Sequence, residues 1–152
     1  MTFFFKKCFS KSDLVRIAEK ISSVERTTSG EIRVSVVYRR RWNERKMSLE
    51  GLAEHDFHRL GMAGTRDATG VLLFLLFRER KFRIVADRGI HERVGQATWD
   101  RIGQSLAGYF RDEKYLDGVI AVLTAIGSEL EKHFPKPPGD SNELSNSVDV
   151  RS

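Results

Sequence analysis

Apolar positions recur at helical spacing near the start of the chain. Leu14, Ile17, Ala18, Ile21 and Val24 fall three and four residues apart, on one helix face. Ser10 or Ser12 can cap this helix, and Asp13 suits its positive end. Beyond Gly30 the period changes to two. Ile32, Val34, Val36 and Tyr38 alternate with Glu31, Arg33, Ser35 and Val37, which predicts a strand with one well-buried face. A second helix follows, with Leu49, Leu52, Ala53, Phe57 and Leu60 on one side and Gly61 and Gly64 at its end. Val71 to Phe77 is apolar at every position, the pattern of a central strand covered on both faces. Arg78-Glu79-Arg80-Lys81 is a polar turn, after which Phe82, Ile84 and Ala86 alternate with charged or smaller residues. A connection this short admits only an antiparallel hairpin.

Two amphipathic helices close the pattern. Trp99, Ile102, Leu106, Tyr109 and Phe110 mark one; Leu116, Val119, Ile120, Leu123, Ile126 and Leu130 mark the other. Pro135, Pro137 and Pro138 end it. The first two strands are joined through a helix, so they are expected to be parallel. The fold class is therefore α/β: a three-layer α/β/α sandwich on a small mixed sheet flanked by about four helices. The folded domain spans about residues 12–135. Residues 1–11 read as an N-terminal extension and 136–152 as a disordered tail of Gly, Ser, Asn and acid with little to bury.

Composition narrows the class. At 152 residues, 31% charged and 40% hydrophobic, the chain suits one domain with its own core. The single cysteine, Cys8, excludes an intrachain disulfide and a cysteine-built zinc site. The start, with Phe3, Phe4 and Phe5 before Lys6 and Lys7, has no apolar signal-peptide region, and no run is long enough to span a membrane. A cytoplasmic chain is expected, with weak membrane-surface contact through these rings as the alternative to their packing on the domain. The net charge of +5 is carried by residues 1–76, with 14 Lys and Arg against 9 Asp and Glu. Its densest point is Arg39-Arg40-Arg41 followed by Arg45-Lys46, which could meet phosphates on nucleic acid or lipid. The run lacks the aromatic interleaving or reading helix of a dedicated nucleic-acid binder, so it reads as a mobile, solvated loop, and no specific nucleic-acid partner is expected.

The topology implies a convergence of acids. Parallel first and second strands start at one edge of the sheet, and the third strand, running back, ends there. Glu31 begins the first strand, Asp67 and Thr69 lie in the loop entering the second, and Asp87 ends the third. With strands about 4.8 Å apart these groups can approach one another. Glu31, Asp67 and Asp87 are therefore the candidate metal ligands, aided by carbonyls around Ala68 and Gly89. Oxygen donors of this kind suit calcium or magnesium. The competing expectation is that the acids pair with Arg33, Arg66 or Arg88 and hold loops. His55 and His58 are three apart, not the four of the zinc-binding His-Glu-x-x-His pattern, and are expected to face solvent. No nucleophile elbow or phosphate-binding loop is present, and the sequence assigns no catalytic residue.

An ordered set of segments resembles the TPM domain family. It comprises Thr28-Ser29-Gly30-Glu31-Ile32-Arg33-Val34, Leu60-Gly61-Met62, Gly70-Val71-Leu72 and Phe82 through Ile90. Trp99-Asp100, Phe110, Gly118-Val119, Gly127, Leu130 and Phe134-Pro135 complete it. The resemblance implies an α/β/α sandwich, a suggested acid phosphatase activity, and in some members divalent-ion binding through loop acids. By position, Asp87 matches the acid of the family's Gly-Asp-x-Gly, with Ala86 in place of the usual glycine. Arg66-Asp67-Ala68-Thr69-Gly70 stands where many members read Arg-Asn-Gly. The expected function is a metal-binding interaction or protein-maintenance module, acting on a protein partner the sequence does not identify. Two alternatives stand beside it: a weak metal-assisted phosphatase, with Arg88 neutralising charge, and a basic membrane or nucleic-acid docking module.

Overall fold

A computed structural model describes residues 8–64, 68–137 and 148–151. Helix α1, Lys11–Glu25, starts at Ser10, whose hydroxyl accepts the Asp13 amide while the Asp13 carboxylate accepts the Ser10 amide. This reciprocal cap satisfies two amides that the helix itself leaves unpaired. Strand β1 is Glu31–Val37 and helix α2 is Leu49–Arg59, capped by the Ser48 hydroxyl on Gly51 N–H. Gly61, at φ 75°, takes the left-handed position that ends α2, as expected of glycine there. Strands β2, Gly70–Leu76, and β3, Lys81–Ala86, form the hairpin.

The short helix α3, Arg88–Val94, was not legible in the pattern. It is followed by α4, Gln96–Arg111, and α5, Tyr115–His133. Among the described residues there are thus five α-helices, two short 3-10 turns and, with β4 (Asp149–Arg151), four strands in the order β3-β2-β1-β4. β1 runs parallel to β2, from Glu31 opposite Gly70 to Val37 opposite Leu76, and β2 runs antiparallel to β3. The three-layer arrangement follows from which residues cover which face. Ile32, Val34, Val36, Val71, Leu73 and Leu75 bury against α1, α4 and α5. Val37, Leu72, Phe74 and Leu76 bury against Leu52, Ala53 and Phe57 of α2. No helix among the described residues is long and apolar enough to cross a membrane.

Three expectations are corrected. The tail expected over 136–152 contributes structure at both of its described ends. Lys136 donates its amide to the Thr27 carbonyl and its ammonium to the Glu25 carbonyl, and Asp149–Arg151 pairs in parallel with Ser35–Val37. One apolar residue, Val150, gives no periodicity; backbone pairing and distant ion pairs form this strand instead. β1 is consequently a central strand, buried on both faces rather than one. The Arg39–Lys46 loop is solvent-facing but braced. Arg40 pairs with Glu79 at 2.5 Å and donates to the carbonyls of Glu44 and Met47. Its partner lies 39 residues away in sequence, out of reach of a local reading of charge.

Candidate functional site

The strand-start end of the sheet is tied together by backbone hydrogen bonds. Glu31 N–H donates to the Thr69 carbonyl at 3.0 Å, and Asp87 N–H donates to the Gly70 carbonyl at 2.9 Å. The positions of Glu31 and Asp87 therefore converge with the loop entering β2, as the topology requires. Asp67 lies outside the described residues. Ala68, beside it, holds φ 54° without being glycine. This left-handed conformation costs an L-residue of this kind roughly 1 kcal/mol and is stored at the mouth of the end where the acids gather. A Cβ on Gly70 would stand 2.7 Å from the Met62 carbonyl, so the close approach of this loop to the end of α2 needs glycine.

The two described acids are held differently. The Asp87 carboxylate caps α3, accepting the Arg88 amide at 2.7 Å, and is half-buried. Glu31 is only 2% exposed and its carboxyl meets that of Glu25, itself 1% exposed, at the end of α1. Glu25 accepts the Ile32 amide at 2.6 Å. Burial pushes the Glu25 carboxyl up to about 8 against the pull of that amide; the charge of Glu31 and its hydrogen bond add to the rise, and Lys136 opposes it. Two carboxyls can share a hydrogen bond only if one carries a proton. The rise is the direction expected of a buried carboxyl that keeps its proton beside a second buried carboxyl. Glu25 is not among the site residues expected from sequence. Its signal was position: it follows Ile21 by four, on the apolar face of its helix.

Beside the dyad, Thr28 Oγ1 donates toward the carbonyls of Phe134, at 2.5 Å, and Leu130, at 3.2 Å, and accepts the Gly30 amide. The end of α5 thereby pins the turn that launches β1. Among the described residues, no three His, Cys, Asp or Glu side chains gather as a metal-binding group. The donors at this end are all oxygens, the chemistry of calcium and magnesium sites. His55 and His58 are exposed, as expected.

Another buried acid, Asp56 of α2, is fully enclosed. It accepts the Ser35 hydroxyl at 2.5 Å and pairs with Arg59 at 3.0 Å and Arg151 at 2.9 Å; Arg59 also reaches Asp149 at 2.7 Å. Every partner is structural, so Asp56 fastens β4 and β1 to α2. At the far end of the sheet lies a cleft of about 500 Å³ whose walls include Phe77, Phe110, Tyr115, Arg80 and Lys114.

A mixed sheet with α1, α4, α5 and the short α3 packed in one core cluster and α2 on the other face defines an α/β/α sandwich domain. The chain belongs to the TPM domain family, whose model matches residues 4–129. Among solved structures it resembles the BA42 protein of the psychrophilic bacterium Bizionia argentinensis. The identity is 26%, the TM-score 0.84, and the match covers 94% of this chain and 95% of that one. An N-terminal domain of a protein from P. gingivalis shares the fold at 17% identity and TM-score 0.67, covering 84% of this chain and 79% of that one. The N-terminal domain of the cg2496 protein of Corynebacterium glutamicum does so at 17% and 0.61, covering 83% and 76%. No curated protein matches the sequence.

Proposed function

We propose that this TPM domain is a divalent-cation-binding interaction module, with calcium or magnesium held at the strand-start end by Glu31, Asp67 and Asp87. The observation that carries the reading is the pair of backbone bonds that brings the starts of β1 and β2 and the end of β3 together. Carboxylates placed close to one another repel, and a divalent ion relieves that repulsion. A proton is another such relief, and Glu25, raised to about 8 chiefly by burial beside Glu31, is placed to carry one. Metal binding requires deprotonated ligands, so proton and cation compete for Glu31. Cation affinity is therefore expected to rise as Glu25, beside Glu31, loses its proton.

Hydrolysis has little support at this end. The Asp87 carboxylate uses one oxygen on the Arg88 amide, and a carboxylate edge binds a cation without orienting a nucleophile. Phosphomonoester turnover is expected at background in rigorously purified protein.

Amide NMR spectra recorded during calcium and magnesium titrations test the reading. The expected result is saturable shifts at Thr69, Gly70 and Arg88, weakened in Asp87→Asn. Asparagine caps a helix as well as aspartate does, so this variant removes charge and keeps α3. An unshifted spectrum at millimolar calcium and magnesium contradicts the reading. Turnover that copurifies with the protein and disappears in Asp87→Asn contradicts its non-catalytic part.

A further inference from the structure

The opposite end of the sheet gathers cations. The β1–α2 loop exposes Arg39, Arg41, Arg45 and Lys46. The β2–β3 turn, directly beside it, exposes Arg78, Arg80 and Lys81. The two loops are joined by the Arg40–Glu79 ion pair at 2.5 Å and by the Arg78 amide donating to the Tyr38 carbonyl at 2.8 Å. The two acids inside these segments are withdrawn. Glu44 is buried with its carboxylate on the Arg41 amide at 2.8 Å. Glu79 is taken by Arg40, which holds its carboxyl below the ordinary range. Seven cations thus stand exposed on two mutually braced loops.

At their centre is Trp42, 78% exposed, in a chain whose other tryptophan, Trp99, is buried. The Arg45 guanidinium lies 4.8 Å from the centre of the Trp42 ring, and the ring and the arginines on either side of it line a cleft of about 480 Å³. An indole this exposed buries little of its apolar surface in the fold. Its amphipathic ring suits the boundary between headgroups and acyl chains, where tryptophan is enriched.

We propose that this basic end docks on an anionic lipid bilayer, with Trp42 entering the headgroup layer and the surrounding cations meeting lipid phosphates. Two observations favour a bilayer over nucleic acid. The cations are spread over the ends of two neighbouring strands, not along a helix that could enter a groove. The single exposed indole already has Arg45 on its ring, whereas strand binders offer successive rings for base stacking. The patch ends at the neighbouring cleft, where Glu113 and Asp117 stand beside Lys114. Docking through exposed cations is expected to be reversible and sensitive to salt, each cation near the surface adding about 1 kcal/mol.

The test is cosedimentation of the full chain with vesicles, in EDTA and at physiological salt. Phosphatidylcholine vesicles containing phosphatidylglycerol are compared with pure phosphatidylcholine. Expected is binding to the anionic vesicles only, with a blue shift of fluorescence that Trp42→Phe abolishes. Arg41→Gln combined with Arg45→Gln should weaken binding about thirtyfold, two cations at the surface-attraction value. These residues are exposed, and an unchanged melting temperature verifies that the variants fold. Asp87→Asn should bind vesicles as the parent does, which separates this claim from the cation claim. No binding to anionic vesicles, equal binding to both kinds, or an unshifted Trp42 overturns the proposal. Tighter binding to a DNA or RNA duplex than to the anionic vesicles, lost in the same variants, also overturns it and assigns the patch to nucleic acid.

Discussion

Glu25 is the residue whose state most directly reports the chemistry of the strand-start end. Its carboxyl is raised from an ordinary 4.5 to about 8, chiefly by burial. The folded state therefore binds a proton that the unfolded chain releases between these values. Stability from this group is fully present below the unfolded value and is lost as pH rises through about 8. Melting temperature should fall over this window, and Glu25→Gln should flatten the fall, because an amide keeps the shape and the neutrality of the protonated acid. A parent protein whose stability rises from pH 5 to 8 would contradict the shared proton. Ala68 makes a separate prediction. Its φ of 54° is one that glycine adopts freely, so Ala68→Gly should stabilise the protein by up to about 1 kcal/mol, read by urea unfolding. Asp56 carries the largest expected loss. Asp56→Ala leaves the Ser35 hydroxyl and the Arg151 guanidinium without their acceptor and should cost about 3 kcal/mol, with Asp56→Asn costing less.

At the scale of elements, β1, β2, β3 and the four long helices were legible because each buries a face large enough to impose its period. Val71 to Phe77 announced a strand covered on both sides, and it is. Elements with no such face were not legible. α3 has one buried apolar residue, Ile90, and rests on the Asp87 cap. β4 is built from backbone pairing with β1 and from Asp149 and Arg151 reaching α2. Its pairing closes the exposed edge of β1. A chain ending at residue 137 should still fold on the core of the first three strands, but with a lower melting temperature, because Asp56 loses Arg151 and Ser35–Val37 lose their neighbouring strand. Equal stability of the shortened chain would show that β4 contributes nothing in solution. Of the site, sequence gave the backbone convergence of Glu31 and Asp87, which is topology. It could not give the Glu25–Glu31 contact, which depends on how the end of α1 meets the start of β1. Buried acids at apolar helix positions, Glu25 after Ile21 and Asp56 after Leu52, were the available signal.

The two candidate surfaces lie at opposite ends of the strands. Acids collect where β1 and β2 begin, and exposed arginines and lysines collect where these strands end, around Trp42. The sheet keeps the two chemistries apart, so a cation at one end and a lipid surface at the other could act without competing for residues. The proposal at the acidic end has the more direct physical consequence, since a ligand that binds only the folded state stabilises it. An open, partly hydrated site is expected to bind calcium with a Kd on the order of 10⁻⁴ M. Calcium at one hundred times that value should add about 2.7 kcal/mol. For a chain of this size, such a gain raises the melting temperature by about 5–10 °C. The measurement is the melting temperature of the parent and of Asp87→Asn against calcium concentration at pH 8.5. A concentration-dependent rise of this size in the parent, much smaller in the variant, is the expected result. A melting temperature that calcium does not move, or that moves equally in both proteins, would contradict a cation site at the start of the strands.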